Sequence, residues 1–488
     1  MKFSIPSAVS RVTETLEKAG FEAYLIGGCV RDLLRGETPK DWDVTTNATP
    51  DRIIHLFDET FYENSFGTVG VANKDVSDET LAVVEVTPYR VEGAYTDKRR
   101  PDEVRFSENL KDDLKRRDFT VNAIAYSVSQ GHIVDLYKGQ EDIRRGIIRA
   151  VGDPHERFSE DALRILRAVR LATQLDFSIE RSTREGILRH SSTLSDISAE
   201  RIRDEFTKIV MTGNPKRGIE LARELNLLKH IVPELEEGIG VEQNGNHIYT
   251  VWEHNLRAVQ HAADRAWPLH VRLGALFHDV AKPHTRRWSN QKKDWTFYGH
   301  DVVGARITKK IMQRLRYPKD LTEAVTKLVR HHLFFSDVDK ITLSAVRRMV
   351  RNVGTEHIWD LMHVRACDRI GMGRPKEAPY RLRKYESMIE EAMRAPISVK
   401  MLNIDGEKIM EITGEKPGPK IGLTLHALLE EVLNDPELNT KEYLENRAKE
   451  LFSLPEEELE KLAQAGKEKR EKEEEKELKK IRKKYWVK

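Results

Sequence analysis

The chain has 488 residues, a charged fraction of 33% and an aromatic fraction of 7%, which indicates a helix-rich protein of about two to four domains. It contains no run of about 18 apolar residues, so we expect neither a membrane segment nor a signal peptide. Two distant cysteines, Cys29 and Cys367, exclude a disulfide framework and indicate a reducing, cytoplasmic compartment. The net charge of +2 conceals 82 basic residues, so it neither requires nor excludes a polyanionic partner.

Before about residue 150, short β-rich runs alternate with turns. The runs are "FEAYLIGG", "DWDVTT", "FGTVGVANK", "TLAVVEVTPYR" and "HIVDLY". They predict a small mixed or antiparallel sheet with few helices. One helix is expected after the second run, because Thr49 is a suitable N-cap and Pro50 suits the first helical position.

The turn after the first predicted strand contains Gly27 and Gly28, and Arg31 falls in the first turn of the helix that follows. Paired glycines let a backbone approach a ligand closely, and a helix N-terminus presents unpaired N–H groups to an anion. The segment therefore predicts a phosphate contact, with an ordinary turn as the alternative.

Asp41 and Asp43 stand two positions apart in "KDWDVTT". Alternate residues of a strand lie on one face, so these carboxylates would repel each other unless a cation lay between them. Together with the glycine turn, the pair describes a triphosphate site facing divalent ions, which is a geometry for nucleotidyl transfer. A strand end with two solvated acids is the alternative.

After residue 150, apolar residues recur three and four positions apart, which predicts helices. In "SEDALRILRAVR", one helix is expected to carry Glu160, Asp161, Arg164, Arg167 and Arg170. A fixed carboxylate that accepts and an arginine that donates can read the amino group and ring nitrogen of cytosine and adenine, and would reject guanine and uracil. Surface ion pairs are the alternative interpretation.

The second half contains a separate set of imidazoles and carboxylates on predicted helices. It comprises His254, His278, Asp279 and Asp368. Because an unpaired acid on an apolar helix would be costly, and because these groups come from separate helices, they predict a site for a divalent transition metal. Candidate phosphate contacts beside it are Lys282, His300 and His331, and for His331 a core or surface role is an equal alternative.

Four segments resemble the successive motifs of class II tRNA nucleotidyltransferases, the CCA-adding enzymes. They are "GGCVRDLLRGETPKDWDVTT", "RRDFTVNAIAY", "EDALRILRAVR" and "SAERIRDEFTKIV", and their order matches across roughly residues 20–230. The resemblance implies an α+β fold, in which a small mixed-sheet, polymerase-β-like nucleotidyltransferase head precedes all-α neck, HD and tail domains. Bacterial poly(A) polymerases share the Gly-Gly and Asp-x-Asp core and remain the close alternative.

The resemblance also implies the site residues and partners. Asp41 and Asp43 would be catalytic and bind Mg²⁺, and the substrates would be tRNA, CTP and ATP. The implied nucleotide-binding set is Gly27, Gly28, Arg31, Asp32, Arg117, Asp118, Asn122, Asp161, Arg164, Arg167 and Arg170. Glu85, on the strand before the RRD segment, is either a third acidic group or a loop anchor.

Residues 90–106, "RVEGAYTDKRRPDEVRF", resemble the mobile loop of family members that add the terminal A. Gly93 and Pro101 would suit a hinge. Addition of the complete CCA is therefore expected, with A-only addition as an alternative. A degenerate RNA-binding scaffold attached to a hydrolase is a further alternative, and the intact Asp41, Asp43, Asp161 and Arg164 set argues against it.

The set His254, His278, Asp279 and Asp368 resembles the HD phosphohydrolase superfamily, which implies a Ni²⁺, Mn²⁺ or Co²⁺ site. The expected domains are the head (1–150), neck (151–240), HD domain (241–390), a helical tRNA-binding tail (391–465) and a charged terminus (466–488). In the tail, Gly418 between two prolines enters a predicted helix. The terminus is expected to be a solvated helix or a disordered tail.

Overall fold

The computed structural model describes residues 2–62, 67–74, 76–92, 104–245, 247–334, 341–394 and 399–486. The chain forms two compact units. The first comprises Met1–His332 and His363–Pro375, and the second comprises Leu333–Met362 and Lys376–Lys488. Within the described ranges, no helix has both the length and the apolar character that a membrane crossing requires.

The N-terminal part of the first unit is built on a seven-stranded sheet. Its strands and the hairpin that follows the fifth of them are β1 (Ala23–Ile26), β2 (Trp42–Thr46), β3 (Thr60–Tyr62), β4 (Val69–Ala72), β5 (Val83–Pro88), β6 (Arg90–Glu92), β7 (Val104–Phe106), β8 (Ala125–Ser127) and β9 (His132–Val134). The sheet order is β3-β4-β5-β2-β1-β8-β9. Strands β2 and β5 are parallel and the other neighbours are antiparallel, so the prediction of a mixed sheet is confirmed.

The two ends of the predicted mobile loop, residues 90–106, form strands β6 and β7, which pair with each other. Residues 93–103 of that loop, with Gly93 and Pro101, lie outside the described residues.

Among the described residues of this region, five α-helices accompany the sheet: α1 (Ser7–Lys18), α2 (Gly28–Arg35), α3 (Pro50–Leu56), α4 (Leu110–Lys115) and α5 (Gly139–Arg145). Helix α3 begins at Pro50 as predicted, although Thr49 makes no side-chain capping bond. Apolar residues of α1, α2 and α3 pack on the buried positions of the central strands, including Leu25, Val44 and Val86. This packing holds the ends of β1 and β2, where the glycines and aspartates lie, on a rigid base.

From residue 147 onward the first unit is almost entirely helical. Its elements are the strands β10 (Ile147–Ile148), β11 (Ser178–Ile179), β12 (Arg287–Ser289) and β13 (Asp294–Thr296) and the helices α6 (Pro154–Glu160), α7 (Leu163–Leu175), α8 (Arg181–His190), α9 (Ala199–Met211), α10 (Pro215–Glu224), α11 (Leu228–Ile231), α12 (Pro233–Glu236), α13 (Val251–Asp264), α14 (Leu269–Phe277), α15 (Lys282–Thr285), α16 (His300–Arg314) and α17 (Lys319–His331). One continuous core of buried residues runs from Phe119 to Val329. The helices around residues 160–210 and 250–330 therefore share one hydrophobic core.

The remaining helices are α18 (Leu343–Val353), α19 (Ile358–Gly371), α20 (Tyr380–Met393), α21 (Gly406–Thr413), α22 (Pro419–Asn434), α23 (Lys441–Phe452) and α24 (Glu456–Lys484). Helix α22 begins directly after Gly418, as the sequence predicts. The charged terminus belongs to α24, so the helical alternative is correct and the disordered one is wrong for the described residues up to 486.

Candidate active sites

The turn between β1 and α2 brings the backbone of a glycine close to the side chains of Asp43 and Arg117. Gly27 has φ +78°, a conformation that residues with a Cβ rarely adopt. A Cβ there would lie 3.1 Å from Nη1 of Arg117 and 3.4 Å from Oδ2 of Asp43. The glycine, the aspartate and the arginine thus meet at the N-terminus of α2.

Three carboxylates converge on the same sheet. Asp43 lies on β2, Asp41 precedes that strand and is exposed, and Glu85 lies opposite Asp43 in the parallel register of β2 and β5. Burial raises the pKa of Asp43, the positive charge of Arg117 lowers it, and the charge of Asp41 raises it again. Oxygen ligands of this kind suit Mg²⁺, and a cation would favour ionisation of the buried acid.

Arg31 connects the first of the four motif segments with the second. Its guanidinium is buried, donates through Nη1 to Oδ1 of Asn122 at 2.8 Å and donates through Nε to Oδ1 of Asp32 at 2.8 Å. The structure therefore brings two adjacent predicted nucleotide-binding residues, Arg31 and Asp32, together with Asn122, which is 91 positions after Arg31 in the chain. Arg31 is thereby held near the start of α2, and its positive charge is paired with the Asp32 carboxylate.

Asp113 is a buried carboxylate that the sequence analysis missed. It accepts from Nε and Nη2 of Arg116 at 2.8 and 2.6 Å, from Nη2 of Arg117 at 3.2 Å and from the Thr45 hydroxyl at 3.3 Å. Burial disfavours its charged form, but the two arginines lower its pKa. Its position three and four residues before the arginines on a helix is the signal that would have found it.

Asp118 is a second buried acid and holds Arg167. It accepts from Nε of Arg167 at 2.8 Å and from the Phe119 backbone N–H at 2.9 Å, and Asn122 donates to it at 3.4 Å. Burial alone would raise the pKa of Asp118, yet the charge of Arg167 lowers it to about 2. The same pairing raises the pKa of Arg167, so this ion pair persists throughout the neutral range.

The single helix predicted from Glu160 to Arg170 is wrong. Helix α6 ends at Glu160, Asp161 is extended with φ −137° and ψ 106°, and α7 begins at Leu163. The break is accompanied by a capping contact, because Oδ1 of Asp161 accepts from the Leu163 backbone N–H at 3.0 Å. Arg164 consequently starts a new helix and does not continue the preceding one.

Asp161 and Arg164 are each held by residues of other segments. The Arg164 guanidinium donates to Glu160 at 2.5 Å and to the carbonyl of Arg116 at 3.2 Å. Oδ2 of Asp161 accepts from Nη2 of Arg201 on α9 at 2.8 Å. Both predicted base-reading groups therefore have fixed positions.

Helix α9 also holds a second predicted site residue, Arg170, through an ion pair. Arg170 lies 2.7 Å from Oε2 of the buried Glu205. Sequence reasoning did not predict roles for Arg201 or Glu205, although both lie in "SAERIRDEF". Only the packing of α9 against α7 shows what they contact.

The imidazoles and carboxylates of the second half converge in a separate buried cluster, which we call the HD cluster. His254, His278, Asp279 and Asp368 place one ligand atom each within 4.8 Å of one another. Nε2 of His254 is 2.8 Å from Nε2 of His278, 3.0 Å from Oδ2 of Asp279 and 3.4 Å from Oδ1 of Asp368. All four residues are buried, which fits a divalent transition metal held by nitrogen and carboxylate ligands.

A second group of potential ligands shares Asp279. Nε2 of His300 is 3.2 Å and Nε2 of His332 is 3.6 Å from its Oδ1 atom. The neighbouring residue His331, named in the sequence analysis, is absent from this group. His332 continues the buried face of α17 through Val325 and Val329, so helical spacing could have distinguished the two.

Cationic side chains neutralise the acids of the HD cluster. The Lys282 ammonium is 2.6 Å from Oδ2 of Asp279 and also donates to Gln243 at 2.5 Å, while Arg365 pairs with Asp368. Burial opposes ionisation, but these charges hold the pKa of both aspartates well below the usual range. The acids are ionised at neutral pH and suit a cation.

Three family models match the chain. They are "Poly A polymerase head domain" over residues 23–149, "Probable RNA and SrmB- binding site of polymerase A" over 176–239 and "HD domain" over 251–367. The first match covers the glycine turn and the carboxylates, and the third covers three of the four ligand candidates of the HD cluster and ends one residue before Asp368.

Curated relatives include a CC-adding tRNA nucleotidyltransferase of Thermus thermophilus, which is 33% identical over 84% of this chain and 89% of its own length. A CCA-adding enzyme of Lactobacillus helveticus is 45% identical over 45% of this chain and 54% of its own length. The chain spans about half the length of this and similar curated relatives. Among solved structures, the CCA-adding enzyme of Bacillus stearothermophilus in complex with CTP has a TM-score of 0.60 and 26% identity, covering 91% of this chain and 98% of that one.

Proposed function

The chain belongs to the tRNA nucleotidyltransferase family, and from this premise we propose that it adds CCA to the 3′ end of tRNA from CTP and ATP with release of pyrophosphate. The observation that carries the proposal is the meeting of Gly27, Asp43 and Arg117 at one helix N-terminus. The proposal assigns residues 1–150 to the head, 151–240 to base recognition, 241–390 to the HD domain and 391–465 to tRNA binding. Because both cysteines are buried and free, we also propose a cytoplasmic location.

In this proposal Asp41 and Asp43 hold Mg²⁺, with Glu85 beside them. Magnesium would supply positive charge for the attacking 3′-hydroxyl and the leaving pyrophosphate. The chain's own residues bind and orient the nucleotide: backbone N–H groups of the Gly27–Gly28 turn approach the triphosphate, and Arg31 adds a fixed positive charge. Arg117, held by Asp113, contacts the ribose or phosphate.

Base selection is assigned to Asp161 and Arg164. Cytosine and adenine both present an amino donor beside a ring-nitrogen acceptor, which the carboxylate and the guanidinium match. Guanine and uracil present the reverse order and would leave buried polar groups unpaired, which discriminates strongly. The contacts of Asp161 with Arg201 and of Arg164 with Glu160 support the idea that both groups are held in place before the nucleotide arrives.

The HD cluster is proposed to hydrolyse phosphate esters, with 2′,3′-cyclic phosphates at RNA ends as substrates. Its residues would hold Ni²⁺, Mn²⁺ or Co²⁺, which would supply a nucleophilic water at neutral pH. Lys282, whose ammonium lies 2.6 Å from Oδ2 of Asp279, would contact the phosphate. Water adds to phosphorus, the bond to O3′ breaks and O3′ takes a proton, so the RNA keeps a 2′-phosphate and gains the free 3′-hydroxyl that the transferase needs.

Three tRNA substrates test the transferase proposal. They end before CC, before A and after the complete CCA, and each is incubated with labelled CTP or ATP. Incorporation of C into the first and A into the second supports CCA addition. Incorporation of C alone supports the second candidate, CC addition, which the Thermus thermophilus relative favours because its alignment covers most of both chains. A-only addition or untemplated poly(A) on the third substrate contradicts the proposal.

A double variant tests the hydrolase proposal. His278→Ala with Asp279→Ala should abolish hydrolysis of 2′,3′-cyclic AMP in added Ni²⁺, Mn²⁺ or Co²⁺, because both groups belong to the HD cluster. Incorporation of CTP and ATP should continue, since a different site performs it. A wild-type protein that binds none of these ions and hydrolyses no phosphoester would contradict the assignment.

A further inference from the structure

A short hairpin beside the HD cluster exposes two large aromatic side chains. Strands β12 and β13 pair antiparallel, and they place Trp288 opposite Trp295. Trp288 is 54% exposed, and Tyr298, just after β13, is 74% exposed. Scattered exposed apolar residues are ordinary, but two aromatic rings within eleven residues of one another require a reason.

The fold of the hairpin does not itself require that exposure. Trp295 is partly buried, its ring meets that of Trp288 edge to face at 5.3 Å, and the Arg286 guanidinium covers it at 3.8 Å. The backbone is secured separately, because Asn244 donates to the Trp295 carbonyl at 2.7 Å and the Gly245 N–H donates to Asp294 at 3.2 Å. Trp288 thus keeps an exposed ring surface, and Tyr298 remains exposed although the Lys292 ammonium lies over its ring at 5.2 Å.

Basic side chains lie in the same segment as these aromatic rings. The segment 286–299 contains four basic residues and one acidic residue, and that acid, Asp294, accepts hydrogen bonds from two backbone N–H groups. Arg287, Lys292 and Lys293 are exposed, and Lys292 donates to the Tyr298 hydroxyl at 2.7 Å. Exposed aromatic faces interleaved with cations are the arrangement by which proteins bind single-stranded nucleic acids, with bases stacked and phosphates paired.

Both ends of the hairpin reach the HD cluster. The helix before it begins with Lys282, which contacts Asp279, and the helix after it begins with His300, which contacts the same aspartate. Nδ1 of His300 lies 2.6 Å from the carbonyl of Phe297, and Lys282 lies 5.6 Å above the Phe297 ring. A strand bound on the hairpin would therefore lie between two segments that each contact Asp279 of the HD cluster.

We propose that Trp288 and Tyr298 form a base-stacking platform that binds single-stranded RNA, with Arg287, Lys292 and Lys293 contacting its phosphates. The platform presents the terminal nucleotide to the HD cluster; this last step rests on the proposed hydrolase, whereas RNA binding by the hairpin does not. Charge favours RNA over a protein ligand, because the hairpin offers cations beside its rings.

The test uses the full-length protein and the double variant Trp288→Ala with Tyr298→Ala. A labelled single-stranded RNA carrying a 2′,3′-cyclic phosphate is titrated while tryptophan fluorescence is recorded. We expect affinity to fall roughly ten- to a hundredfold and the quenching by bound bases to decrease. Trp486→Ala is the matched control, because that tryptophan is 79% exposed and should leave the affinity unchanged. Trp288→Phe with Tyr298→Phe should restore binding, since the rings remain.

Hydrolysis assays with two substrates distinguish the platform proposal from the hydrolase proposal. The alanine variant should raise KM for the RNA end and leave hydrolysis of glycerol 1,2-cyclic phosphate, which has no base, unchanged. The wild-type protein could hydrolyse neither substrate while the alanine variant still binds RNA more weakly than wild type. In that case the hydrolase proposal fails and the platform stands. Unchanged RNA affinity and quenching in the alanine variant would overturn the platform, as would equal loss of activity on the base-free substrate.

Discussion

Gly27→Ala tests whether the nucleotide turn depends on a bare backbone. At φ +78° an added Cβ costs roughly 1–3 kcal/mol of folding stability. The same methyl would lie 3.1 Å from Nη1 of Arg117, a contact tighter than ordinary van der Waals separation, and 3.4 Å from Oδ2 of Asp43. Arg117 must then move by a few tenths of an ångström, away from the position in which Asp113 holds it.

We expect this displacement to lower kcat/KM for nucleotide addition by about a hundredfold, since small misplacements of positioning groups have effects of that size. Labelled CTP incorporation into tRNA lacking CCA measures the rate, and denaturant unfolding measures the stability. Both are recorded at a temperature at which wild type and variant remain folded.

Gly36→Ala is the control, because it introduces backbone strain without the contact that a Cβ at position 27 makes with Arg117. Gly36 ends the same helix at φ +75°, and a Cβ there would meet nothing within 4 Å. Its stability loss should be smaller than that of Gly27→Ala, because Gly36 is left-handed helical at ψ 21° whereas Gly27 lies at ψ −132°, where residues with a Cβ are strained most, and addition should be unchanged. The reasoning is refuted if both variants keep addition within about twofold of wild type, or if Gly36→Ala loses as much activity as Gly27→Ala.

Three further predictions concern the transferase residues. Asp41→Ala or Asp43→Ala should abolish addition while gel-shift binding of tRNA survives, because the carboxylates act on the reacting groups; near wild-type addition would remove them from the mechanism. Asp161→Ala or Arg164→Ala should let U or G be incorporated in single-nucleotide assays, whereas lower rate with unchanged selectivity would indicate a structural role. Asp113→Asn should raise KM for CTP and lower unfolding stability by about 3–5 kcal/mol, because two arginines lose their buried counter-ion; an unchanged KM would refute its positioning role.

The sequence by itself determined features that depend on neighbouring residues in one element. Gly27 and Gly28 after an apolar run predicted the turn, and Pro50 predicted where α3 begins. The spacing of Asp41 and Asp43 predicted that the two carboxylates lie near each other at a strand end, and the charge of Asp41 does raise the pKa of Asp43. Side-chain chemistry was sufficient to select His254, His278, Asp279 and Asp368, which the fold assembles within one cluster.

Only the tertiary structure decided which separate elements meet. Glu85 lies opposite Asp43 because β5 pairs with β2 in parallel register, and no local pattern specifies register between strands 40 residues apart. The break at Asp161 is supported by Arg201 from α9, and His332, rather than His331, faces the HD cluster because α17 buries that side. Propensity and spacing act along one segment, whereas these contacts arise from packing between segments, so the sequence identified the reactive groups and the fold selected the residues that hold them.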